Sequence, residues 1–314
     1  MGNKGSSKKI SPYVILGLGV MASSTAAIFI RFAEQSSSSL TIAAFRLMFA
    51  VILLTPITLV RNRDELLSIH RKQILLMFLS GTLLALHFAT WISSLQFTSV
   101  ASSVVLVTTT PLWVALFSPM FLNERITRVI IIGLLIALLG GVIVGMSDSC
   151  TWVNGTLNCP PIGALFAKTE MWGNILAISG ALLAAGYLIV GRLVRAVVPL
   201  GAYIYVVYGI AAGVLLFIAL VTHQKMIGLP WIDYLWFFAL AAIPQLLGHT
   251  SFNWSLKYLP AAYVSIALLG EPIGSTILAY VILKEAPTLL KIGGAALILS
   301  GILVSSINKN DIKK

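Results

Sequence analysis

Residues 110–140 read TPLWVALFSPMFLNERITRVIIIGLLIALLG, and residues 271–301 read EPIGSTILAYVILKEAPTLLKIGGAALILSG. Laid over one another at a constant offset of 161 residues, they match Pro111 to Pro272, Glu124 to Glu285, Gly133 to Gly294 and Gly140 to Gly301. Apolar stretches match by chance, but a proline, a glutamate and two glycines at one ungapped offset are poorly explained that way. Carried toward the N-terminus, the offset also pairs Ala101 with Ala262, Ser94-Leu95 with Ser255-Leu256 and Arg31 with Arg192. The chain therefore reads as two copies of one unit.

Composition says what kind of unit it is. The 314 residues are 58% hydrophobic and 10% charged, against roughly 25% charged in a soluble globular domain. Mean hydropathy is +0.97. A spanning helix needs roughly 20 mainly apolar residues. Apolar runs between charged or turn-forming breaks predict helices over 12–33, 39–60, 73–95, 99–121, 127–147, 172–193, 200–222, 232–255, 260–283 and 287–307. Most are apolar all round, as lipid-facing or bundle-buried helices must be. The expected fold is an all-α membrane protein of ten transmembrane helices, with no room for a soluble domain. It divides into a first repeat over 1–147, a connecting loop over 148–171, a second repeat over 172–307 and a tail over 308–314. The run that follows Lys4, Lys8 and Lys9 continues past the small residues at 22–26 to Ile30, so it is read as a retained helix rather than a cleaved leader.

The net charge of +11 does not point to nucleic acid, because the basic residues fall in loops and not on a stripe beside stacking aromatics. With the N-terminus inside, Lys4, Lys8, Lys9, Arg61, Arg63, Arg71, Lys72, Arg125, Arg128, Arg192, Arg195, Lys257, Lys309, Lys313 and Lys314 lie on the inner side. Arg31, Lys168, Lys225, Lys284 and Lys291 lie outside. The excess inside predicts that both termini are cytoplasmic. The connecting loop is then extracytoplasmic, where its Cys150 and Cys159 are expected to form a disulfide, and where Asn154-Gly155-Thr156 is a glycosylation sequon. With five predicted helices in each unit, the second must enter the membrane from the opposite side. Inverted repeats of this kind recur in secondary transporters, whose site lies between the two halves.

Polar residues deep in a span are costly and face the bundle interior or a wet cavity. In the eighth predicted helix Gln245, His249 and Asn253 follow at spacings of four and share an α-helical face; they line a solute path or hydrogen-bond between helices. In the third, His87, Trp91 and Ser94 also share a face, and Trp91 is either core filling or a wall against solute. Glu271 is the acidic residue in the interior of a predicted span. It is a proton-coupling group, a ligand for a solute amine, or an ion-pair partner of Arg46, which is itself close enough to the outer end to snorkel. Pro111 and Pro272 should each kink or partly unwind a helix at corresponding depths, a pointer to a transport site unless the threonines before Pro111 repair the break. The glycines near Gly140 and Gly301 read as close-packing positions. Glu124 and Glu285, beside Arg125 and Lys284, read as interfacial and structural.

The segments Pro111 to Gly140, with Asn123-Glu124-Arg125, and Pro272 to Gly301, with Lys284-Glu285, resemble the paired motif of the EamA family in the drug/metabolite transporter superfamily. Ala43-Ala44-Phe45-Arg46-Leu47 resembles that family's second helix. The resemblance implies a bundle of five plus five helices that moves metabolites, amino acids or related solutes, often outward. The expected function is thus a secondary transporter, an exporter working by alternating access from a multi-pass position in the cell membrane. Its partners would be a small solute and membrane lipid, with neither cofactor nor metal, and the chain would be a monomer or homodimer. An intramembrane enzyme is the weaker alternative, because a second buried carboxylate and a His-Glu-x-x-His zinc motif are both missing from the sequence. A receptor or scaffold would have no need of two interchangeable gates.

Overall fold

The structure, a computed structural model, describes residues 11–122, 128–147, 151–153, 156–158 and 168–306. Among the described residues, eight helices are long and apolar enough to cross a membrane: α1 (Pro12–Ala33), α2 (Ser39–Arg61), α3 (Arg71–Leu95), α4 (Val100–Phe121), α6 (Thr169–Arg195), α7 (Leu200–Val221), α8 (Trp231–Ser255) and α9 (Ala261–Leu283). Two more apolar helices, α5 (Arg128–Ser147) and α10 (Leu289–Ser306), complete the two sets of five. Ten spans were expected. The difference lies in α5 and α10, whose apolar stretches over the described residues, Ile131–Val144 and Leu289–Gly301, are short for a bilayer crossing. The chain is an integral, multi-pass membrane protein.

Helix starts carry the expected local chemistry. Ser38 and Ser99 cap α2 and α4, their hydroxyls accepting from the amides of Thr41 and Ser102, which satisfies donors that the first turn leaves open. Pro199, Pro230 and Pro260 occupy the cap positions of α7, α8 and α9, where a missing amide donor costs nothing. The segment between α5 and α6 was expected as a plain loop. It contains an antiparallel hairpin, β1 (Thr151–Val153) and β2 (Thr156–Asn158), with Trp152 opposite Leu157. Cys150 and Cys159, with the disulfide expected of them, lie outside the described residues, as do Asn154, Glu124 and Arg125.

The halves pack as counterparts. α1 of the first half rests on α8 of the second, and α6, the counterpart of α1, rests on α3, the counterpart of α8. α2 packs on α7, α4 on α9 and α5 on α10, so each of these helices meets its own counterpart. At the last pair, a Cβ added to Gly140 would lie 2.6 Å from the Gly294 carbonyl oxygen, and one added to Gly301 would lie 2.5 Å from the Gly133 carbonyl oxygen. These are the glycines that the offset of 161 matches, crosswise: residue 140 meets the counterpart of 133, and residue 133 the counterpart of 140. Contacts exchanged in this way mark a two-fold relation, and the rising numbers on α5 against falling numbers on α10 make the pair antiparallel. Arg31 and Arg192 are also equivalent in place. Arg31 Nη2 donates to the Thr98 carbonyl oxygen at 2.8 Å, and Arg192 Nη1 to that of Leu256 at 2.5 Å, each closing carbonyls left open at the C-terminal end of α3 or α8.

Candidate functional site

Four helices depart from regular α geometry around the middle of the bundle. α4 runs as Val100–Val107 and Thr110–Leu122 with a break at Thr108-Thr109. α9 runs as Ala261–Ala267 and Gly270–Leu278 with a break at Leu268-Leu269, then winds as a π-helix over Ala279–Leu283. Both breaks fall just before the matched prolines, where the ring removes a donor and crowds the preceding turn. α1 is interrupted at Thr25, and α8 winds as a π-helix over Ala241–His249, around Pro244. Irregular backbone at membrane depth is tolerated where it is buried in protein or lines a cavity.

A cavity of about 590 Å³ of atom-free space, counting its open mouth, lies among these segments. α2 contributes Arg46, α3 His87 and Trp91, α4 Thr110, α6 Tyr187, α8 His249 and Phe252, α9 Glu271, and α1 Ser23. The offset of 161 pairs many of the lining positions with one another: Ser23 with Ala184, Ala26 with Tyr187, Trp91 with Phe252, Val107 with Leu268 and Thr110 with Glu271. Phe88 and His249 are counterparts too, and their rings touch edge to face at 5.1 Å. A residue that touches its own counterpart lies on the two-fold axis, so the cavity straddles that axis.

Its chemistry is donor-rich. Arg46 is fully buried, its guanidinium lies 4.1 Å above the Phe88 ring, and its Nε donates to Gln245 Oε1 at 2.9 Å. Its Nη1 and Nη2, the indole nitrogen of Trp91, His249 Nδ1 and Ser23 Oγ are buried without a hydrogen-bond partner. His87 Nδ1 lies 2.9 Å from the Gly180 carbonyl oxygen; a carbonyl only accepts, so Nδ1 carries the proton. The His87 ring stacks on Trp91 at 5.9 Å, with 11° between planes. Glu271, partly buried, is beside Ser23 and within electrostatic range of Arg46, but among the described residues it makes no ion pair with it. Arg46 does not snorkel.

Of the residues singled out from the sequence, Arg46, His87, Trp91, His249 and Glu271 meet at this cavity. Gln245 and Asn253 stand behind it, both fully buried. Gln245 holds Arg46, while Asn253 accepts from the Tyr187 hydroxyl at 2.8 Å and donates to that of Tyr208 at 3.2 Å. The spacing of four set all three α8 residues on one face, but the π-winding over Ala241–His249 alters the register at which they emerge. Pro272 lines a separate apolar groove with Ile273 and Ile292. Ser23, Tyr187 and Phe252 carry no mark in the sequence pattern as site residues, although the offset of 161 does make Phe252 the counterpart of Trp91 and Thr110 the counterpart of Glu271. Among the described residues, no three His, Cys, Asp or Glu side chains come together as metal ligands.

Near the end of α1, Arg31 reaches Glu34 at 3.8 Å and Glu285 at 3.6 Å, and Glu285 Oε2 accepts from the Val100 amide at 3.0 Å. Burial pushes the Glu34 carboxyl up to about 7, against the opposing pull of Arg31 and the Ser39 hydroxyl. Ser36 and Ser37 donate to the buried Asp233 carboxylate at 2.7 and 2.6 Å, tying the α1–α2 turn to the start of α8.

The model of the EamA-like transporter family matches residues 11–146 and again 171–307. A solved crystal structure, described only as that of a protein, has a TM-score of 0.65 over 96% of this chain and 99% of its own, at 18% identity. That likeness concerns the fold. A search of curated proteins finds no match.

Proposed function

The chain belongs to the EamA-like transporter family, a membrane transporter of the drug/metabolite type, and from that premise we propose that it exports a small solute by alternating access through the cavity between its repeats. The observation that carries this reading is the position of the cavity on the two-fold axis, where Phe88 meets His249 and where broken helices from both halves converge. Two antiparallel halves that share one site can rock about it and open it to each face in turn. In this reading α5 and α10 also cross the bilayer as a glycine-packed pair, the repeats are inverted, and the bias of Lys and Arg sets both termini on the cytoplasmic side. Outward direction rests on the family resemblance.

The proposed roles are these. His249, Glu271, Arg46, His87 and Trp91 contact the solute. Gln245 and Asn253 fix Arg46 and Tyr187 in place rather than touching solute themselves. The breaks before Pro111 and Pro272 are the bending points. The test is flux in proteoliposomes, after a thermal-shift screen for solutes that raise the melting temperature of the folded chain. His249→Ala and Glu271→Ala should each reduce flux strongly. Unchanged flux of every transported solute in both variants would remove the cavity from the path.

A further inference from the structure

Arg46 is a fully buried cation whose outer edge is unused. One nitrogen donates to Gln245 and the plane rests on Phe88, which holds the group rigidly while Nη1 and Nη2 stay without partners. The unpartnered indole nitrogen of Trp91 is likewise a donor that can accept nothing. A buried charge left in this condition is costly unless something pairs with it. The hydroxyls and imidazoles that line the cavity beside it carry no negative charge to offset it. Glu271, the carboxylate on the cavity wall, makes no ion pair with Arg46 among the described residues.

We propose that the cavity binds a monoanion, a carboxylate on a flat apolar body, with Arg46 as its ligand, and that each anion enters together with one proton held on Glu271. The planar guanidinium edge fits a carboxylate through two parallel hydrogen bonds. A single cation suits a single negative charge, which argues against a phosphate dianion. The stacked His87 and Trp91 rings offer an apolar wall to the body, with Phe252 the counterpart of Trp91 on α8. The proton follows from charge balance. Where Glu271 is ionised, its charge offsets that of Arg46, and an added anion would leave a net negative charge at membrane depth, which is expensive. Protonation of Glu271 restores neutrality.

No other group facing the cavity serves as well. α2 presents Arg46, α3 His87, α6 Tyr187 and α8 His249, while α1 and α4 present only the hydroxyls of Ser23, Thr108 and Thr110. A proton on either histidine would stand beside the charge of Arg46, and Tyr187 has its hydroxyl committed to Asn253. Glu271 is the remaining proton acceptor.

The inference takes from the transporter reading only the location of the site, so binding is the measurement that tests it. The full chain in lipid nanodiscs is titrated calorimetrically with benzoate, indole-3-acetate, benzamide and phenylalanine between pH 5 and 8, with empty discs as the blank. The carboxylates should bind, benzamide should bind at least tenfold more weakly, and carboxylate affinity should fall about tenfold per pH unit once Glu271 ionises. Glu271→Gln should abolish that pH dependence. Arg46→Met should weaken carboxylate binding at least thirtyfold with the solute-free melting temperature unchanged or raised, since it removes an unpaired buried charge; Arg46→Lys, which keeps the charge and loses the fork, should weaken binding about tenfold. Equal binding of benzamide, tighter binding of phenylalanine than of either carboxylate, failure of both carboxylates to bind, or pH dependence that survives Glu271→Gln would overturn the proposal. Carboxylate binding without flux in proteoliposomes would instead sink the transporter reading and leave this one standing.

Discussion

The break in α4 and the break in α9 occupy corresponding places in the two halves, yet they are finished differently. In α4 three consecutive hydroxyls mend the backbone: Thr108 Oγ1 donates to the Val104 carbonyl oxygen at 2.8 Å, Thr109 Oγ1 to that of Leu106 at 2.7 Å, and Thr110 Oγ1 to that of Val107 at 2.9 Å. In α9 the equivalent residues are Leu269, Gly270 and Glu271, two of which have no side-chain donor. The carboxylate of the third is turned to the cavity. α9 also lies tight on α1, where a Cβ on Gly270 would come within 2.7 Å of Val20, and the Ser275 hydroxyl donates to the Ser24 carbonyl oxygen at 2.9 Å. One break is sealed and the other is left chemically active. On the transport cycle proposed above, a repeated scaffold would divide its labour, with α4 as the fixed wall and α9 as the responsive one.

The sharpest way to break this contrast is to make the two breaks alike. Glu271→Thr gives α9 the residue found at its counterpart, and solute flux in proteoliposomes should fall roughly 10- to 100-fold, the loss expected for a charged hydrogen-bonding group of about 1.5–3 kcal/mol. Thr110→Val should change flux far less; equal losses in the two variants would erase the distinction. Next in size is the converse. Thr108→Val removes the second of two hydrogen bonds to the Val104 carbonyl oxygen, which keeps the Thr108 amide at 3.0 Å, and should lower stability by about 0.5–1.5 kcal/mol, read as a lower melting temperature in detergent. Leu269→Thr, which offers α9 the hydroxyl that α4 has at this position, should slow flux several-fold without abolishing solute binding. The smallest effect concerns the tether at the end of α9, where Glu285 shares Arg31 with Glu34. Because the Glu34 carboxyl is raised from 4.5 to about 7, its contribution to stability is fully present below pH 4.5 and is lost as pH rises through about 7. Melting temperature should decline across that window, and Glu34→Gln should flatten the decline.

The repeat was legible because glycine, proline and glutamate at a constant offset mark backbone constraints, and these determine how α5 meets α10 and where α4 and α9 break. The meeting of Arg46, His87, Trp91, His249 and Glu271 was legible in kind, since polar side chains inside apolar runs must converge somewhere. The placement of Gln245 and Asn253 was not. Spacings of four describe a face only on a regular α-helix, and nothing local to residues 241–249 except Pro244 announces the wider π turns. The interruption of α1 at Thr25 was also hidden, because no proline or glycine stands at that point of the sequence; it falls where Gly270 and Gly274 of a distant helix approach Val20 and Ser24 closely. The ten-span count rested on hydropathy over residues that α5 and α10 present as shorter apolar stretches.

The edge-to-face contact of Phe88 with His249 has a bearing on direction. A pocket on a two-fold axis with identical counterparts would admit a guest equally well in either of two poses related by a half-turn. Half of the encounters would then present the wrong end to whichever gate opens next. Here residue 88 is a hydrocarbon ring and its counterpart a polar one; likewise Val207 stands against Arg46, and the neutral hydroxyl of Thr110 against the Glu271 carboxyl. In the proposed transport cycle the guest would meet a pocket with a head and a foot, so a passenger that boards in one orientation would keep that orientation through the journey.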